Sequence, residues 1–398
     1  MKAALLLAAL AACSCGGRKE GPEGAGRADK ERSVPGEAKD EGGRWLVLEQ
    51  HDAKAEVASY AAIDLAASRP SAVALGSVPA LPDTNWPGHY RTVAAHAGPR
   101  WVRAEAKAGG FRLVLGDARG GGPRSIEVDG EPTALTLHGD ALFVGLGRRL
   151  GWFDLAAGTP AFGELVAREH QFKAYDLFAR SGDRLVAIDD VVMPMFADWF
   201  DLAGKVPRRL ADWSLPGVIN GHYTHAALHP AAGGDFTLYL LAPYGIMDGD
   251  GHDLVAVPVR GDELVFEDGL TLQNGKNGPT PVIEEHVSRD SGKTFGLVAG
   301  SEATDWTGLA VDPDSGRLLI AAGTRGLIVL PGNFTSASKG TMVDLGAPCR
   351  DVAVRGGLLV ALVGDEKKSE LVILTGAGDS YAAGTRHPLP AAFDRIVD

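Results

Sequence analysis

The chain has 398 residues, 45% of them hydrophobic and 7% aromatic, and it contains 53 glycines and 23 prolines. That length allows a sizeable core, and the abundance of turn-forming residues favours many short strands over long helices. The formal net charge of −12 and the lack of a basic stripe exclude a nucleic-acid-binding protein, because neutralising phosphates requires clustered lysine and arginine.

The N-terminus has the features of a targeting segment. A positively charged start is followed by an apolar run that is too short to span a bilayer. The sequence LAAC, from Leu10 to Cys13, resembles the lipobox of bacterial lipoproteins. The resemblance implies that the signal peptide 1–12 is removed and that Cys13 carries the lipid anchor. Ser14 stands where inner-membrane lipoproteins have Asp, which implies the outer membrane; the alternative is an ordinary secretory signal cleaved near Ala12.

Residues 13–43 form a Gly-rich and densely charged segment with almost no large apolar side chains. Such a segment cannot bury enough surface to offset its ordering entropy, so we expect a disordered tether. A flexible chain of this length spans roughly 30 Å. The folded domain is predicted to occupy 44–398 and to begin at Trp45.

Besides Cys13, the chain has two cysteines, Cys15 in the tether and Cys349 in the folded part. An oxidising compartment would permit a bridge between them, but nothing in the sequence positions one. The cysteine spacing argues against covalent haem and against a cysteine-based structural zinc site, because no CxxC pair is present.

From Trp45 onwards the chain repeats a pattern of short apolar strands separated by Gly/Asp turns. Segments that resemble an innermost strand begin at Arg91, Thr133, Tyr175, Thr224, Thr307 and Arg350. Their spacings are 42, 42, 49, 83 and 43 residues. The second strands are predicted at FRLVLG (111–116), ALFVGLG, RLVAI, FTLYLLA, RLLIAAG and LLVALVG. Period-2 alternation with a repeat of about 40–50 residues predicts an all-β fold, a β-propeller.

The two ends of the folded part complement each other. The first segment supplies second, third and outer strands (WLVLEQ, YAAIDL and SAVAL) but no innermost strand, and residues 393–397 (FDRIV) resemble the missing one. We therefore predict a seven-bladed propeller in which the C-terminal strand closes the N-terminal blade and removes an exposed edge. The alternative is an eighth blade within the 83-residue interval after Thr224.

That interval contains SRDSGKTF, from Ser288 to Phe295, which resembles the Asp-box with Phe295 in place of Trp. In Asp-box propellers, which include sialidases, the motif forms a hairpin turn on the outer strands. The resemblance therefore implies a structural turn and supports the fold without indicating catalysis.

Candidate functional residues are those predicted to meet at one mouth of the central channel. They are Asp176, Asp189, Asp190, His222, His225, Asp248, Asp250, His252, Asp351 and Asp394. Carboxylates with histidines could hold calcium or a transition metal. The alternative for Asp248 and Asp250 is a role as turn formers, and for the adjacent acids Asp189 and Asp190 a role in channel hydrogen bonding.

Enzyme motifs are absent from the sequence: it has no GxSxG, HExxH, P-loop or dinucleotide fingerprint. We therefore expect an envelope lipoprotein that binds a protein or glycan partner through its propeller. The competing hypothesis is a metal-dependent hydrolase or lyase, with Asp176, Asp189 and Asp190 as ligands and His225 as ligand or general base.

Overall fold

The chain folds into short antiparallel β-strands, as the alternating apolar pattern and frequent glycines predict. The structure is a computed structural model that describes residues 44–52, 54–68, 70–82, 90–91, 93–167, 175–189, 195–215, 223–242, 253–261, 263–264, 306–332, 340–376 and 380–397. These ranges include one short 3-10 helix, Ala232–Gly234. No helix within them is long and apolar enough to cross a membrane.

The strands, numbered in chain order, form seven four-stranded sheets in the described residues. Blade 1 contains β1 (Trp45–Asp52), β2 (Val57–Asp64), β3 (Ala72–Pro79) and β30 (Arg395–Val397). Strands β4 (Leu81–Pro82) and β5 (Tyr90–Arg91) form a separate two-stranded sheet. Blade 2 contains β6 (Ala94–Ala97), β7 (Arg100–Lys107), β8 (Gly110–Asp117) and β9 (Arg124–Val128). Blade 3 contains β10 (Pro132–His138), β11 (Ala141–Leu146), β12 (Arg149–Asp154) and β13 (Phe162–Ala167). Blade 4 contains β14 (Tyr175–Ser181), β15 (Arg184–Asp189), β16 (Met195–Asp201) and β17 (Arg208–Leu215).

The remaining blades follow the same order. Blade 5 contains β18 (His225–Pro230), β19 (Phe236–Ala242), β20 (Asp253–Arg260) and β21 (Glu263–Leu264). Blade 6 contains β22 (Gly308–Val311), β23 (Leu318–Ala321), β24 (Leu327–Leu330) and β25 (Thr341–Val343). Blade 7 contains β26 (Cys349–Arg355), β27 (Leu358–Gly364), β28 (Ser369–Thr375) and β29 (Ala382–Pro388).

The innermost strands form a closed ring. In order around the channel, β30, β6, β10, β14, β18, β22 and β26 each contact the next, and β26 contacts β30. Because β18 touches β22 directly, the interval between blades 5 and 6 adds no eighth blade to the ring. The prediction of a seven-bladed β-propeller is confirmed.

The hydrophobic core lies between the blades rather than at the centre. The buried apolar residues of the described chain form seven clusters, and each lies between two neighbouring blades. For example, Trp199 of blade 4 packs on Trp213 and on Phe236 of blade 5, with ring centroids 5.6 and 5.4 Å away. Each blade is therefore held mainly by its two neighbours, so stability depends on closing the ring.

The C-terminal strand closes blade 1 as predicted. The strand order of this sheet is β3-β2-β1-β30, and β30 pairs antiparallel with β1, Ile396 opposite Leu48. The ring is thus completed by three residues that lie at the opposite end of the chain from their partner strand.

One strand prediction is wrong. The segment FRLVLG belongs to β8, the third strand of blade 2, and the second strand is β7, RWVRAEAK. The sequence of β7 lacks a continuous apolar pattern because it contains several charged residues. In the folded state these residues belong to an ion cluster that is partly buried. Within it Glu105 accepts hydrogen bonds from Arg103 at 3.0 Å and Arg112 at 2.9 Å, and the Arg103 guanidinium lies 5.1 Å from the Trp101 ring centroid.

The two ends of the channel differ in connectivity. We call the end at which the innermost strands begin the loop face, and the end at which they turn into the second strands the turn face. On the turn face, the innermost strands of blades 2, 3, 4 and 7 end in two-residue turns. The chain also enters the domain on the turn face, where the Arg44 carbonyl accepts a hydrogen bond from the Leu65 amide at 2.8 Å.

Candidate functional site

The loop face of blade 4 brings two predicted site residues close together in the sheet. Tyr175, the first residue of β14, pairs with Asp189, the last residue of β15. The register shifts between Tyr175 and Leu177, so Asp176 occupies a β-bulge. Asp189 is 1% exposed and Asp176 is half-buried. A bulge redirects side chains at a strand end, and here it redirects Asp176 at the start of the innermost strand, beside the end of β15 that carries Asp189.

Tyr175 anchors this strand start to blades 3 and 4. Its hydroxyl donates a short hydrogen bond to the fully buried carboxylate of Asp198, which also accepts a hydrogen bond from Arg209 Nε at 2.7 Å. Its carbonyl accepts a short hydrogen bond from the Thr133 hydroxyl of blade 3. Blade 3 approaches so closely that a Cβ at Gly145 would collide with the Tyr175 carbonyl. The position of Asp176 is therefore set by rigid neighbours.

His225 begins the innermost strand of blade 5 and is half-buried. Its Nδ1 lies 3.0 Å from the Thr224 hydroxyl, and the Thr224 amide donates a 2.8 Å hydrogen bond to the Leu241 carbonyl. The contact with a neighbouring side chain that is itself fixed to the sheet orients the imidazole at the loop face. Blades 4 and 5 are adjacent in the ring because β14 contacts β18.

Asp351 has a structural role at the junction of blades 7 and 1. The carboxylate is 5% exposed and accepts hydrogen bonds from the Val352 amide and from the Ile396 amide of β30, both at 2.7 Å. Gly308 of blade 6 leaves room for it, since a Cβ there would collide with the carboxylate. Asp351 thus clamps the closing strand.

Asp394 holds the same junction from the other side. Its carboxylate pairs with Arg350 at 2.6 Å and accepts a hydrogen bond from the His51 amide at 2.7 Å. Its amide donates to the Glu49 carbonyl at 2.7 Å, and the next residue, Arg395, pairs with the buried Glu49 carboxylate at 2.8 Å. Asp351 and Asp394 therefore both have partners that link β30 and the residues before it to blades 1 and 7.

Several predicted sites lie outside the described residues. They are Asp190, His222, Asp248, Asp250 and His252, together with the lipid-bearing Cys13 and the Asp-box-like segment from Ser288 to Phe295. Among the residues that the structure describes, no three His, Cys, Asp or Glu side chains gather as metal ligands. The predicted calcium or transition-metal site stays a prediction.

On the turn face, sequence reasoning missed a histidine that links two blades. His138 of blade 3 has Nε2 3.2 Å from an Asp183 carboxylate oxygen and Nδ1 3.4 Å from Arg180, both in blade 4. Burial, together with Arg180, lowers the pKa of His138 even though Asp183 opposes this shift. The sequence signal that could have identified this contact is the repeated turn. LHGD (137–140) and RSGD (180–183) form equivalent turns in adjacent blades, so their side chains can meet.

A second missed cluster joins blades 6 and 7. The Asp312 carboxylate accepts hydrogen bonds from the Ser315 hydroxyl at 2.6 Å and from the Tyr381 hydroxyl of blade 7. Burial alone would raise the pKa of Asp312, but these hydrogen bonds and backbone amides outweigh it and lower the pKa. Burial and the adjacent Asp312 raise the pKa of Tyr381 to about 12. The cluster therefore holds an ionised acid against a neutral phenol and joins the two blades.

Comparisons with known proteins add information on the fold. No family model and no curated protein matches the chain. The crystal structure of a protein from Lactobacillus plantarum is 10% identical, covers 89% of this chain and 98% of its own, and has a TM-score of 0.53. The β-propeller domain of Cps50 (Swd1) from Myceliophteria thermophila is 11% identical and covers 81% of this chain and 94% of its own, with a TM-score of 0.44. Apo AztD from Citrobacter koseri is 10% identical and covers 88% and 86%, also with a TM-score of 0.44. At such identities, the first of these likenesses concerns the fold alone, and the other two are too distant to carry an argument.

Proposed function

We propose that the propeller is a binding module of the bacterial cell envelope that holds a protein or glycan partner on its loop face, around blades 4 and 5. The observation that carries this proposal is the unequal connectivity of the two faces. The long connections at the loop face follow β17 and β19 and include residues 216–222 and 243–252. A rigid scaffold that presents long connections on one side is typical of binding proteins.

The described strand ends supply polar groups beneath these connections. Tyr175 is fixed between blades 3 and 4, with the bulged Asp176 directly after it, and His225 is oriented on blade 5. By contrast, the carboxylates of Asp351 and Asp394 are engaged in ring closure. The residues that support ligand binding are therefore those of blades 4 and 5.

The proposal includes anchoring to the outer membrane through a lipid on Cys13. The lipobox-like LAAC sequence and the charged tether that follows it support this anchor. One acyl chain gives only reversible attachment, so stable anchoring requires more than one chain on the cysteine.

The binding proposal is tested by site-specific photo-crosslinking in the source bacterium. A photoreactive amino acid replaces His225 on the loop face or, as the control, Asp140 on the turn face. Asp140 is a suitable control because its 2.8 Å ion pair with Arg100 is exposed and contributes little to stability. We expect a discrete protein or glycan adduct at position 225 and none at 140. An adduct at 140 alone, or equal adducts at both, would contradict binding on the loop face.

A second proposal is a metal-dependent hydrolase or lyase at the same place. It is supported by the register that puts Asp189 opposite Tyr175, next to Asp176. The test is metal content and melting temperature of the purified chain after chelation and after calcium, zinc or manganese is added back. This proposal requires stoichiometric metal and a melting shift that Asp189→Asn abolishes; a metal-free protein with an unchanged melting temperature contradicts it.

A further inference from the structure

Three connections on the turn face share one heptapeptide. They follow the third strands of blades 1, 3 and 4 and read DLAASRP (64–70), DLAAGTP (154–160) and DLAGKVP (201–207). In each, the aspartate carboxylate accepts a hydrogen bond from the amide two residues later, at 2.9, 3.0 and 3.1 Å. The leucine amide donates to a turn-face carbonyl at 2.8, 2.7 and 2.8 Å, and the leucine side chain is buried. The three connections are therefore built in the same way.

The fifth and sixth positions of the heptapeptide differ between blades. Blade 3 has Gly158 and Thr159, whereas blade 4 has Lys205 and Val206. Val206 is 65% exposed, the largest exposed fraction among the exposed large hydrophobic side chains in the described ranges. Because blade 3 makes the same turn without a lysine or a valine, the fold does not require either residue in blade 4. The exposed valine is thus a feature of this turn that its folding leaves unexplained.

Two exposed cationic side chains flank Val206. Lys205 is exposed, and the Arg208 side chain is 72% exposed. The carboxylate of Asp201, the first residue of the turn, is shared between Arg184 at 2.6 Å and Arg208 at 3.2 Å. Burial would raise the pKa of Asp201, but the Ala203 amide and the two arginines outweigh it and lower the pKa, so the acid stays ionised. Lys205 and Arg208 therefore present two exposed cations beside Val206, although the whole chain has a net charge of −12.

The position of this turn favours one partner. The chain enters the domain at Arg44 on the turn face, the face that carries Lys205 and Val206. The proposed lipid on Cys13 lies upstream of that entry point in the sequence, so a contact on the turn face is on the side of the domain that the anchored segment joins. A projecting apolar side chain flanked by cations suits an anionic bilayer surface, which needs no preformed pocket and attracts lysine and arginine.

We propose that the 201–207 turn is a membrane contact point, with Val206 entering the lipid interface and Lys205 and Arg208 against anionic headgroups. The contact is weak by itself and rests on the proposed anchor at Cys13, because a short flexible tether raises the effective concentration of the domain at the membrane to the millimolar range. It orients the propeller with its turn face on the bilayer and its loop face, the proposed binding face, directed away.

The test compares two matched positions in the full chain, purified in detergent and reconstituted into vesicles. An environment-sensitive dye is attached at Val206→Cys or at the equivalent Thr159→Cys of blade 3. Cys15→Ser removes one competing thiol, and Cys349 is fully buried. The measurement is quenching of the dye by headgroup-labelled lipid, in vesicles of phosphatidylcholine with or without phosphatidylglycerol.

We expect strong quenching at position 206 and weak quenching at 159 when phosphatidylglycerol is present. Lys205→Glu should reduce membrane contact at position 206 by about fivefold or more, the effect of removing one basic residue at an anionic surface, and high salt should reduce it similarly. Equal quenching at the two positions overturns the contact and leaves the anchor intact. A chain that does not incorporate into vesicles overturns the anchor itself, and with it the contact. The absence of quenching at position 206 in chains that have incorporated into vesicles would also overturn the proposal.

Discussion

Acidic residues near the start of an innermost strand have different roles in two regions of the propeller. At the closure seam between blades 7 and 1, both carboxylate oxygens of Asp351 and both of Asp394 bind groups that hold β30 in place. In blade 4, Asp176 sits in a bulge beside a strand start that Tyr175 already holds by other bonds. Closure therefore depends on the acids at the seam, whereas the start of blade 4 is held by its neighbours.

The difference follows from how each blade is completed. Blades 2 to 7 are continuous in sequence, so hairpin turns bring their strands together. Blade 1 joins the two ends of the chain, and its closing strand has only three residues. A three-residue ladder is short, and buried side-chain acceptors supplement it. Substitutions at the seam should therefore destabilise the fold more than substitutions at the loop face of blades 4 and 5.

The largest effect is expected for Asp351→Ala. The substitution leaves the buried amides of Val352 and Ile396 without their acceptor, and each unsatisfied group costs about 1–3 kcal/mol. We expect a marked decrease in melting temperature and in the denaturant midpoint. The control is Asp394→Ala, whose partly exposed ion pair should cost only about 1 kcal/mol. Equal losses for the two variants would contradict the assignment of Asp351 as the main clamp.

A smaller loss is expected for Gly308→Ala. The new methyl group would collide with the Asp351 carboxylate and force it from its position; overpacking of this kind costs about 1–3 kcal/mol. The matched control is Gly158→Ala, which meets no atom within 4 Å. Thermal unfolding of both variants measures the effect. If Gly308→Ala is as stable as Gly158→Ala, the seam tolerates displacement of Asp351 and the clamp is less important than proposed.

A still smaller effect is expected from pH, through His138 between blades 3 and 4. Its folded-state pKa lies below the ordinary value of 6.5 because of burial and Arg180. As pH falls, the unfolded chain takes up this proton first, so the stabilisation is complete above pH 6.5 and is lost as pH falls through the folded-state pKa. His229 contributes in the same sense, because burial lowers its pKa even though Asp312 opposes the shift. Melting temperatures from pH 7.5 to 5 should fall less in His138→Gln than in the parent chain; parallel curves would rule out a contribution from His138.

The architecture could be predicted from the sequence because the blades repeat along the chain. Each blade can be recognised locally by the alternation of apolar and polar residues in its strands. The closing strand was predictable since 393–397 resembles an innermost strand and blade 1 lacks one. The role of the seam acids was not predictable, because their partners are distant in sequence: Ile396 lies 45 residues from Asp351, and His51 lies 343 residues from Asp394. Strand β7 was missed for a related reason, since its charges are neutralised only in the folded state.

The smallest effect on stability, with the largest on binding, is expected for His225→Ala on the loop face. The side chain is half-buried at the loop face and contacts the adjacent Thr224 hydroxyl at 3.0 Å, so we expect a change in unfolding free energy within about 1 kcal/mol, as for most partly exposed positions. The partner crosslinked at the loop face should bind this variant more weakly. Asp394→Ala provides the opposite case, because it weakens the seam and should leave binding unchanged at temperatures where the variant is folded. If His225→Ala lowers stability as much as Asp351→Ala and binds normally, blade 5 has the same structural role as the seam and the two regions do not differ in the way proposed.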